Sequence, residues 1–291
     1  MDFPRYITSL LVVGALLSCA GQSGEQAPAA PTLPCNGSPI LCNRAYDQVA
    51  YATSHNAFSN AAEGWLAPNQ EESITVQLER EIRGLMLDTH YNADQQPSLC
   101  HGDCIWGERP LRDGLEEIRI FLDNHPHEVV TIIFEAYISA ADTASAMDQA
   151  QLSPYLYTQP AGEPWPTLQE LIDRDQRLVV FTDAPEEAFD ACHDVWAFCW
   201  ETHWAAEAPM DLDCTPNRGS TDNSLFILNH FLTAPIALPS LAEQVNHNPF
   251  LLQRAQLCQK KQSALPNFVT VDFAATGSVL ETVDVLNGVS R

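Results

Sequence analysis

Short runs of apolar residues alternate with amphipathic segments along most of this chain of 291 residues. The runs are rich in Val, Ile, Leu and Phe, which is typical of parallel strands buried on both faces. They predict strands at Val49–Ser54, Gly84–Asp88, Pro97–Cys100, Val129–Phe134, Arg177–Thr182, Ser224–Asn229 and Phe268–Asp272. Between them, apolar residues at helical spacing predict helices at Ser73–Arg83, Leu111–Leu122, Thr167–Arg174, Leu241–Val245, Leu251–Cys258 and Ser278–Leu286.

Strands that alternate with helices predict one α/β domain over residues 35–291, an α/β barrel rather than a sandwich. The irregular and aromatic segment 184–215 leaves the number of strands open. In a barrel of this kind the carboxyl ends of the strands meet at one mouth, where catalytic groups lie.

Four predicted strands have polar residues at or just after their ends. These residues are His55 with Asn56, Asp88, His101 and Glu135. We therefore expect two imidazoles and two carboxylates to converge at the mouth. Because imidazole exchanges protons near neutral pH and carboxylates bind metals, the pattern predicts acid–base catalysis, with or without a metal.

The amino-terminal residues have the composition of an export signal. The apolar stretch Ile7–Leu17 is too short to span a bilayer. It leads into Leu16-Leu17-Ser18-Cys19, which resembles the cleavage box of bacterial lipoproteins, with ordinary cleavage near Ala20 as the alternative. We therefore predict a signal peptide over residues 1–18, lipidation of Cys19 and a flexible linker over 19–34. The product would be an exported lipoprotein held by its lipid to a membrane of the bacterial cell envelope.

The remaining cysteines predict disulfides rather than a metal site. If Cys19 carries lipid, eight of the nine cysteines remain, an even number in an exported chain. A zinc site is disfavoured because no Cys-x-x-Cys pair occurs. The sequence does not fix the pairing, but local spacing suggests Cys35–Cys42, Cys100–Cys104 and Cys192–Cys199, with Cys214–Cys258 as the remainder.

The formal net charge is −24 at neutral pH, and Lys260 and Lys261 are the only lysines. Nucleic acid is excluded as a partner, because its binding requires a basic surface. The charge also argues against electrostatic docking on an anionic bilayer. It is typical of a solvated acidic surface, and we expect a monomer.

Several of these segments resemble the X-region of phosphatidylinositol-specific phospholipases C, in the exported bacterial and fungal branch of that phosphodiesterase superfamily. The resemblance extends over about residues 42–290. Its motifs are Thr53-Ser54-His55-Asn56, Arg83–Asp88, Leu99-Cys100-His101-Gly102, Val129–Glu135, Pro266–Asp272 and Val283–Gly288.

The resemblance implies a distorted TIM (β/α)8-type barrel and a two-histidine mechanism. His55 would act as the general base on a hydroxyl beside the phosphodiester, and that oxygen would attack phosphorus in line. His101 would act as the general acid and protonate the departing alcohol. Asp272 would hold His55 in the required tautomer. The products would be a cyclic phosphate and an alcohol.

The resemblance also implies a divalent cation. Asn56, Asp88 and Glu135 match three ligand positions of the superfamily's calcium-dependent form, whereas Met86 replaces a further acidic ligand. Asp88 occupies the place where the metal-free form carries an arginine. We therefore expect calcium, with magnesium as a possible substitute.

Arg218 and His230 are predicted to contact the substrate, a phosphodiester lipid or inositol phosphodiester. Two alternatives remain open at this point. One is a glycerophosphodiester- or sphingomyelin-type phosphodiesterase, which Met86 disfavours because such sites carry a fuller acidic cluster. The other is a non-catalytic lipid- or glycan-binding lipoprotein with the same barrel, which the presence of both His55 and His101 disfavours.

Overall fold

The computed structural model describes residues 33–290 together with Met1, Asp2 and Pro4. Most of the predicted export signal, the lipidation site Cys19 and most of the linker therefore lie outside the described residues. All elements below belong to the unit Leu33–Arg291. Within the described part of the chain, no helix is long and apolar enough to cross a bilayer.

The described residues form strands and helices in alternation. The strands are β1 (Tyr51–Ser54), β2 (Gly84–Tyr91), β3 (Pro97–Leu99), β4 (Arg109–Pro110), β5 (Val130–Ala136), β6 (Leu156–Tyr157), β7 (Leu178–Thr182), β8 (His193–Asp194), β9 (Cys199–Glu201), β10 (Leu225–Asn229) and β11 (Pro266–Val271). The α-helices are α1 (Ile74–Glu79), α2 (Leu111–Asn124), α3 (Ala140–Gln149), α4 (Leu168–Asp173), α5 (Val195–Phe198), α6 (Pro239–Val245), α7 (Phe250–Gln262) and α8 (Val279–Asn287).

Eight strands form one curled parallel sheet in the order β6-β7-β5-β2-β1-β11-β10-β9. The path ends at β6 and β9, which do not pair with each other within residues 33–290, so the barrel is open on that side. β3 and β4 form an antiparallel extension of β2. The prediction of a single α/β domain with a distorted parallel barrel is confirmed.

Alternation of side chains along each strand produces two apolar cores. On β1 and β11, Tyr51 and Phe268 point into the barrel and stack with ring centroids 5.7 Å apart. Val269 and Val271 point outward into the core between the sheet and the helices. Each strand therefore has a fixed inward register, and its last inward position lies at the mouth.

Three of the four suggested disulfides are present: Cys35–Cys42, Cys100–Cys104 and Cys214–Cys258. The suggested bond between Cys192 and Cys199 is wrong, because both residues are free buried thiols. Cys192 packs in the outer core, whereas Cys199 begins β9 and packs in the core inside the barrel. The two sulfurs thus belong to opposite faces of the sheet, which their close spacing in the sequence did not reveal.

Candidate active site

On each barrel strand every second side chain points into the barrel, and the last such side chains at the carboxyl ends are polar. Asp88 follows Met86 by two positions on β2, and Glu135 is its Cα partner on the neighbouring strand β5. The same period of two places further polar side chains at the carboxyl ends of the other strands. They are Asp183 after β7, Glu201 on β9, Asn229 on β10 and Asp272 after β11.

His55 is held at this mouth by a carboxylate. Its Nδ1 lies 2.9 Å from Oδ1 of Asp272, which also accepts a hydrogen bond of 3.0 Å from the Asn69 amide. One face of the imidazole stacks on Phe231, with ring centroids 4.0 Å apart. Because an ionised carboxylate only accepts hydrogen bonds, Nδ1 of His55 carries the proton, and Nε2 is left to act as a base.

His101 lies at the same mouth on a different support. It follows the short strand β3, and the Cys100–Cys104 disulfide closes the loop that carries it. The residue is exposed to solvent on one side, while the surrounding protein partly desolvates its imidazole. Partial burial of the imidazole, followed by repulsion from His55, lowers the pKa of His101, whereas the charges of Asp272 and Glu135 act in the opposite direction. His101 is thus within electrostatic range of both His55 and Asp272.

Carboxylates are concentrated on the β2–β5–β7 side of the mouth. Asp88 is buried, and burial raises its pKa well above the usual value, with further contributions from Glu135 and Asp183. Met86, two residues earlier on the same face, packs against the core inside the barrel. These neighbouring negative charges would be stabilised by a cation.

The Asn56 side chain completes a set of oxygen donors. Asn56 has a left-handed backbone with a φ of 46°, and its amide faces Asp88. With nitrogen toward the carboxylate, the amide donates to Oδ1 of Asp88 across 2.9 Å. With oxygen toward it, two acceptors face each other, an arrangement that a cation between them would stabilise.

The donor set consists of the Asn56 amide and the carboxylates of Asp88 and Glu135. These oxygen ligands fit a hard divalent cation, and three protein ligands imply that the site binds it with modest affinity. Glu135 also accepts a hydrogen bond from the Tyr137 hydroxyl. Within residues 33–290, no three His, Cys, Asp or Glu side chains are grouped as a metal site. The fit therefore depends on the Asn56 amide as the third donor.

Arg218 lies at the mouth beside Glu201 and Asp183, and its contact with a substrate stays a prediction. Its Nε donates to Oε1 of Glu201 across 2.6 Å, and the guanidinium lies over the Trp196 ring, 4.4 Å from its centroid. Nη1 lies 3.7 Å from Asp183. Glu201 is buried and also accepts a hydrogen bond from Asn229, so it holds Arg218 in a fixed position with its outer edge exposed.

His230 is not available to a substrate, which corrects the prediction made for it. Its Nε2 lies 2.9 Å from the carbonyl oxygen of Val245, and Nη1 of Arg254 lies 3.1 Å from its Nδ1. The side chain is fully buried, and burial, followed by the charge of Arg254, lowers its pKa to about 3. His230 follows the inward-facing Asn229 by one position and therefore points out of the barrel.

Several residues at the mouth were missed by the sequence analysis. Asp183 follows the predicted strand ending at Thr182 in the same way as Glu135 follows Phe134, so the signal for it was present. His90 lies two positions after Asp88 on the same face and stacks on Tyr137, with centroids 4.4 Å apart. Glu201 lies in the irregular aromatic segment and Asn69 in a loop, where no pattern indicated a role.

An open parallel α/β barrel with paired histidines and carboxylates at its carboxyl mouth defines a phospholipase C-like fold. The family model PI-PLC X 1 matches residues 41–287, so the chain belongs to the PI-PLC X family. A PI-PLC X domain-containing protein 1 of Arthroderma benhamiae is 30% identical over 96% of this chain and 97% of its own length.

Another relative is a PI-PLC X domain-containing protein of Arabidopsis thaliana. It is 32% identical over 89% of this chain and 65% of its own length. These relatives come from a fungus and a plant, so the assignment to a bacterial branch stays a prediction. A mutant phosphatidylinositol-specific phospholipase C from Staphylococcus aureus shares the fold, with a TM-score of 0.58 and 13% identity over 86% of this chain and 95% of that one.

Proposed function

We propose that this protein is an exported phosphodiesterase that cleaves a phosphodiester by attack of a neighbouring hydroxyl. The observation that carries the proposal is the bond between His55 and Asp272, with His101 within electrostatic range at the same mouth. Export is supported by the three disulfides and by a relative named only as an uncharacterized secreted protein of Arthroderma benhamiae, 26% identical over 89% of this chain.

In the proposed reaction, Nε2 of His55 removes the proton from the hydroxyl beside the phosphodiester, and that oxygen attacks phosphorus. His101 in its protonated form gives its proton to the departing alcohol oxygen. The bond from phosphorus to that oxygen breaks, leaving a cyclic phosphate and a free alcohol. Asp272 keeps the proton on Nδ1 and stabilises the imidazolium that forms on His55.

Asn56, Asp88 and Glu135 would hold a divalent cation, with calcium as our first expectation and magnesium as the alternative. When bound, the cation would supply charge to stabilise the phosphoryl oxygens in the transition state. The burial of Asp88 beside two other carboxylates supports this proposal, because such a cluster is unfavourable without a positive charge.

Arg218 would contact a hydroxyl or phosphoryl oxygen of the substrate. Because Glu201 and Asp183 flank this single guanidinium, the mouth favours a headgroup without additional phosphates, such as the inositol of phosphatidylinositol. Met86 on the inward face of β2 continues to disfavour the glycerophosphodiester- and sphingomyelin-type alternatives. The presence of His55, His101 and Asp272 together disfavours a purely binding role.

Turnover of a soluble chromogenic inositol phosphodiester tests the catalytic assignment. His55→Ala and His101→Ala should each lower turnover by about two to four orders of magnitude, because each removes a proton-transfer group. His247→Ala is a matched control, since His247 lies exposed on the protein surface beside Glu243. Retention of most activity in either catalytic variant, with the fold intact, would contradict the mechanism.

Chelation tests the cation separately. Activity should disappear in excess chelator and return with calcium, and calorimetry should detect calcium binding to the wild-type protein. Asp88→Asn should weaken this binding, whereas Met86→Glu should strengthen it by adding a carboxylate on the same face. Full activity in excess chelator, with no metal found by elemental analysis, would rule the cation out.

The predicted anchor is tested by mass spectrometry of the mature amino terminus. A lipid on Cys19 would support a lipoprotein, and a free amino terminus near Ala20 would contradict it.

A further inference from the structure

Asn69 lies between the proposed base and the proposed cation ligands. Its Nδ2 donates to Oδ1 of Asp272 across 3.0 Å, and its Oδ1 accepts from Nδ2 of Asn56 across 3.5 Å. Asp272 is in turn bonded to His55, and the Asn56 amide faces Asp88. Two side-chain amides thus connect the carboxylate that orients the base to a carboxylate expected to hold a cation. We call Asn56 and Asn69 the amide pair.

The backbone on both sides of Asn69 is fixed. Its N–H donates to the carbonyl oxygen of Ser59 across 2.9 Å, and its carbonyl oxygen accepts from the N–H of Phe273 across 2.7 Å. The next residue, Gln70, donates from Nε2 to the carbonyl oxygen of His55 across 2.7 Å. Asn69 is only 1% exposed. Its side chain is therefore held between its two partners, and water does not replace its hydrogen bonds.

The carboxylate of Asp272 determines the orientation of the Asn69 amide. Asp272 is buried, and its Oδ1 is bonded to His55 and Asn69, whereas its Oδ2 has no hydrogen-bond partner among the described residues. Donors stabilise the charged form of a buried carboxylate. Because a carboxylate only accepts hydrogen bonds, Asn69 presents its nitrogen to Asp272, and its oxygen then faces Asn56.

The orientation of Asn69 in turn favours one orientation of Asn56. The Asn69 oxygen can only accept, so it favours the Asn56 nitrogen beside it. The Asn56 oxygen then faces Asp88, where a cation between the two acceptors would stabilise it. In the opposite orientation Asn56 donates to Asp88 across 2.9 Å, and its oxygen faces the oxygen of Asn69. All donors of the amide pair therefore face acceptors, with no acceptors left opposed, only when a cation is bound.

We propose that Asn69 is a positioning residue that couples cation binding to the orientation of His55. A cation beside Asp88 holds the Asn56 oxygen, and the amide pair then directs a nitrogen to Asp272. Because such coupling is reciprocal, Asp272 strengthens cation binding although it is not a ligand. The proposal rests on the proposed function, since it takes His55 as the base and the Asn56 oxygen as a cation ligand.

Calcium calorimetry on the full-length wild-type protein, Asn69→Leu, Asp272→Ala and the double variant tests the coupling. Asn69→Leu should weaken calcium binding by about tenfold or more, because residues that orient metal ligands typically have this effect. Asp272→Ala should also weaken it, but should cause little further loss in the Asn69→Leu background. The removal of a charge by itself would act equally in both backgrounds, so additive losses would overturn the proposal.

Asn60→Ala is the matched control. Asn60 is also a buried asparagine in the loop after β1, but its side chain accepts from the backbone N–H of Glu63 across 2.9 Å. The control should lose stability and keep its calcium affinity. Asn69→Ala serves as the second variant if Asn69→Leu does not fold. Unchanged calcium affinity in either folded variant of Asn69 would refute the coupling.

Nuclear magnetic resonance tests the coupling in the unaltered protein. Calcium should shift the side-chain amide resonances of Asn69, because the Asn56 nitrogen turns toward its oxygen when the cation binds. The side-chain amide resonances of Asn60 should stay unchanged. Calcium binding without a shift at Asn69 would contradict the proposal.

Kinetics on the soluble substrate supply the last test. At saturating calcium, Asn69→Leu should lower kcat by about tenfold or more with KM nearly unchanged, because Asn69 contacts Asp272. An unchanged kcat would refute the coupling to the base.

Failure of the coupling and failure of the proposed function give different results. Absence of turnover in the wild-type protein, with calcium binding and its coupling intact, would refute the proposed function and leave the coupling standing. A wild-type protein that binds no calcium would overturn the coupling and the cation site together. The histidine variants would then still test the catalytic assignment.

Discussion

The hydrogen bond between His55 and Asp272 decides which imidazole nitrogen can act on a substrate. With Nδ1 donating to the carboxylate and Phe231 covering one face of the ring, only Nε2 remains available. At the same mouth, the position of a residue along its strand decides whether its side chain points into the barrel or out of it. Asn229 points into the barrel and bonds to Glu201, whereas His230 points away and bonds to Arg254.

Asp272→Asn should lower turnover by about two to four orders of magnitude while the fold is retained. The amide can donate to Nδ1, so the proton moves to Nε2 and the base is lost. Steady-state kinetics on the soluble substrate measure the effect, and Asp222→Asn at an exposed position serves as the control. A loss of less than about tenfold would show that Asp272 has no role in orienting the imidazole.

The lowered pKa of His101 predicts the alkaline side of the pH profile. A general acid works only when protonated, so activity is lost as pH rises through its pKa. Because burial and His55 lower that pKa, kcat/KM should decline with an apparent pKa below about 6.5, the usual value for histidine. In His101→Gln this decline should disappear from the residual activity. A decline that persists in the variant would assign it to another group.

At the scale of elements, one short disulfide positions the His101 loop and one long disulfide stabilises the domain. The Cys100–Cys104 bond spans 4 positions and closes the loop of His101. The Cys214–Cys258 bond spans 44 positions and ties the segment before β10 to α7. Arg254 on α7 reinforces the same connection by donating to the carbonyl oxygens of Leu212 and Asp213.

Removal of the first disulfide should therefore affect turnover more, and removal of the second should affect stability more. From the size of the closed loop, the Cys100→Ser, Cys104→Ser variant should lose about 2 kcal/mol of unfolding free energy, and the Cys214→Ser, Cys258→Ser variant about 4 kcal/mol. Turnover should fall more in the first, because the His101 loop loses its constraint. Denaturant unfolding and soluble-substrate kinetics measure both, and a greater loss of turnover in the second variant would contradict this division.

At the scale of the molecule, the curled sheet separates the core inside the barrel from the core beneath the helices. Cys192 and Cys199 lie on opposite sides of this division. Burial raises the pKa of the Cys192 thiol to about 12 and that of Cys199 well above its usual value. Both thiols are therefore protonated and inaccessible in the folded protein.

Thiol titration should find neither residue reactive in the native protein. After denaturation without reductant, Cys192 and Cys199 should react, and Cys19 should add a third thiol only if it carries no lipid. The measurement uses an aromatic disulfide reagent before and after denaturation. If no thiol from residue 35 onward reacts after denaturation, Cys192 and Cys199 are bonded to each other and the structure is wrong on this point.

The sequence by itself determined the parallel barrel and the residues at four strand ends. Long apolar runs specify strands buried on both faces, and polar residues that directly follow them must lie at the mouth. This reasoning was local, and it succeeded for His55, Asp88 and Glu135. The two-residue strands β4, β6 and β8 were not predicted, because two residues carry too little periodicity, and β9 was not predicted because it lies in the irregular aromatic segment.

Only the tertiary structure decided which side chains meet across the barrel and which face the same core. The bond between His55 and Asp272 joins residues 217 positions apart, and the contact between Arg218 and Glu201 arises in a segment without a regular pattern. The face on which His230 or Cys192 lies depends on strand register and on packing. A shift of one residue reverses a side chain's direction, and spacing along the sequence does not specify that direction.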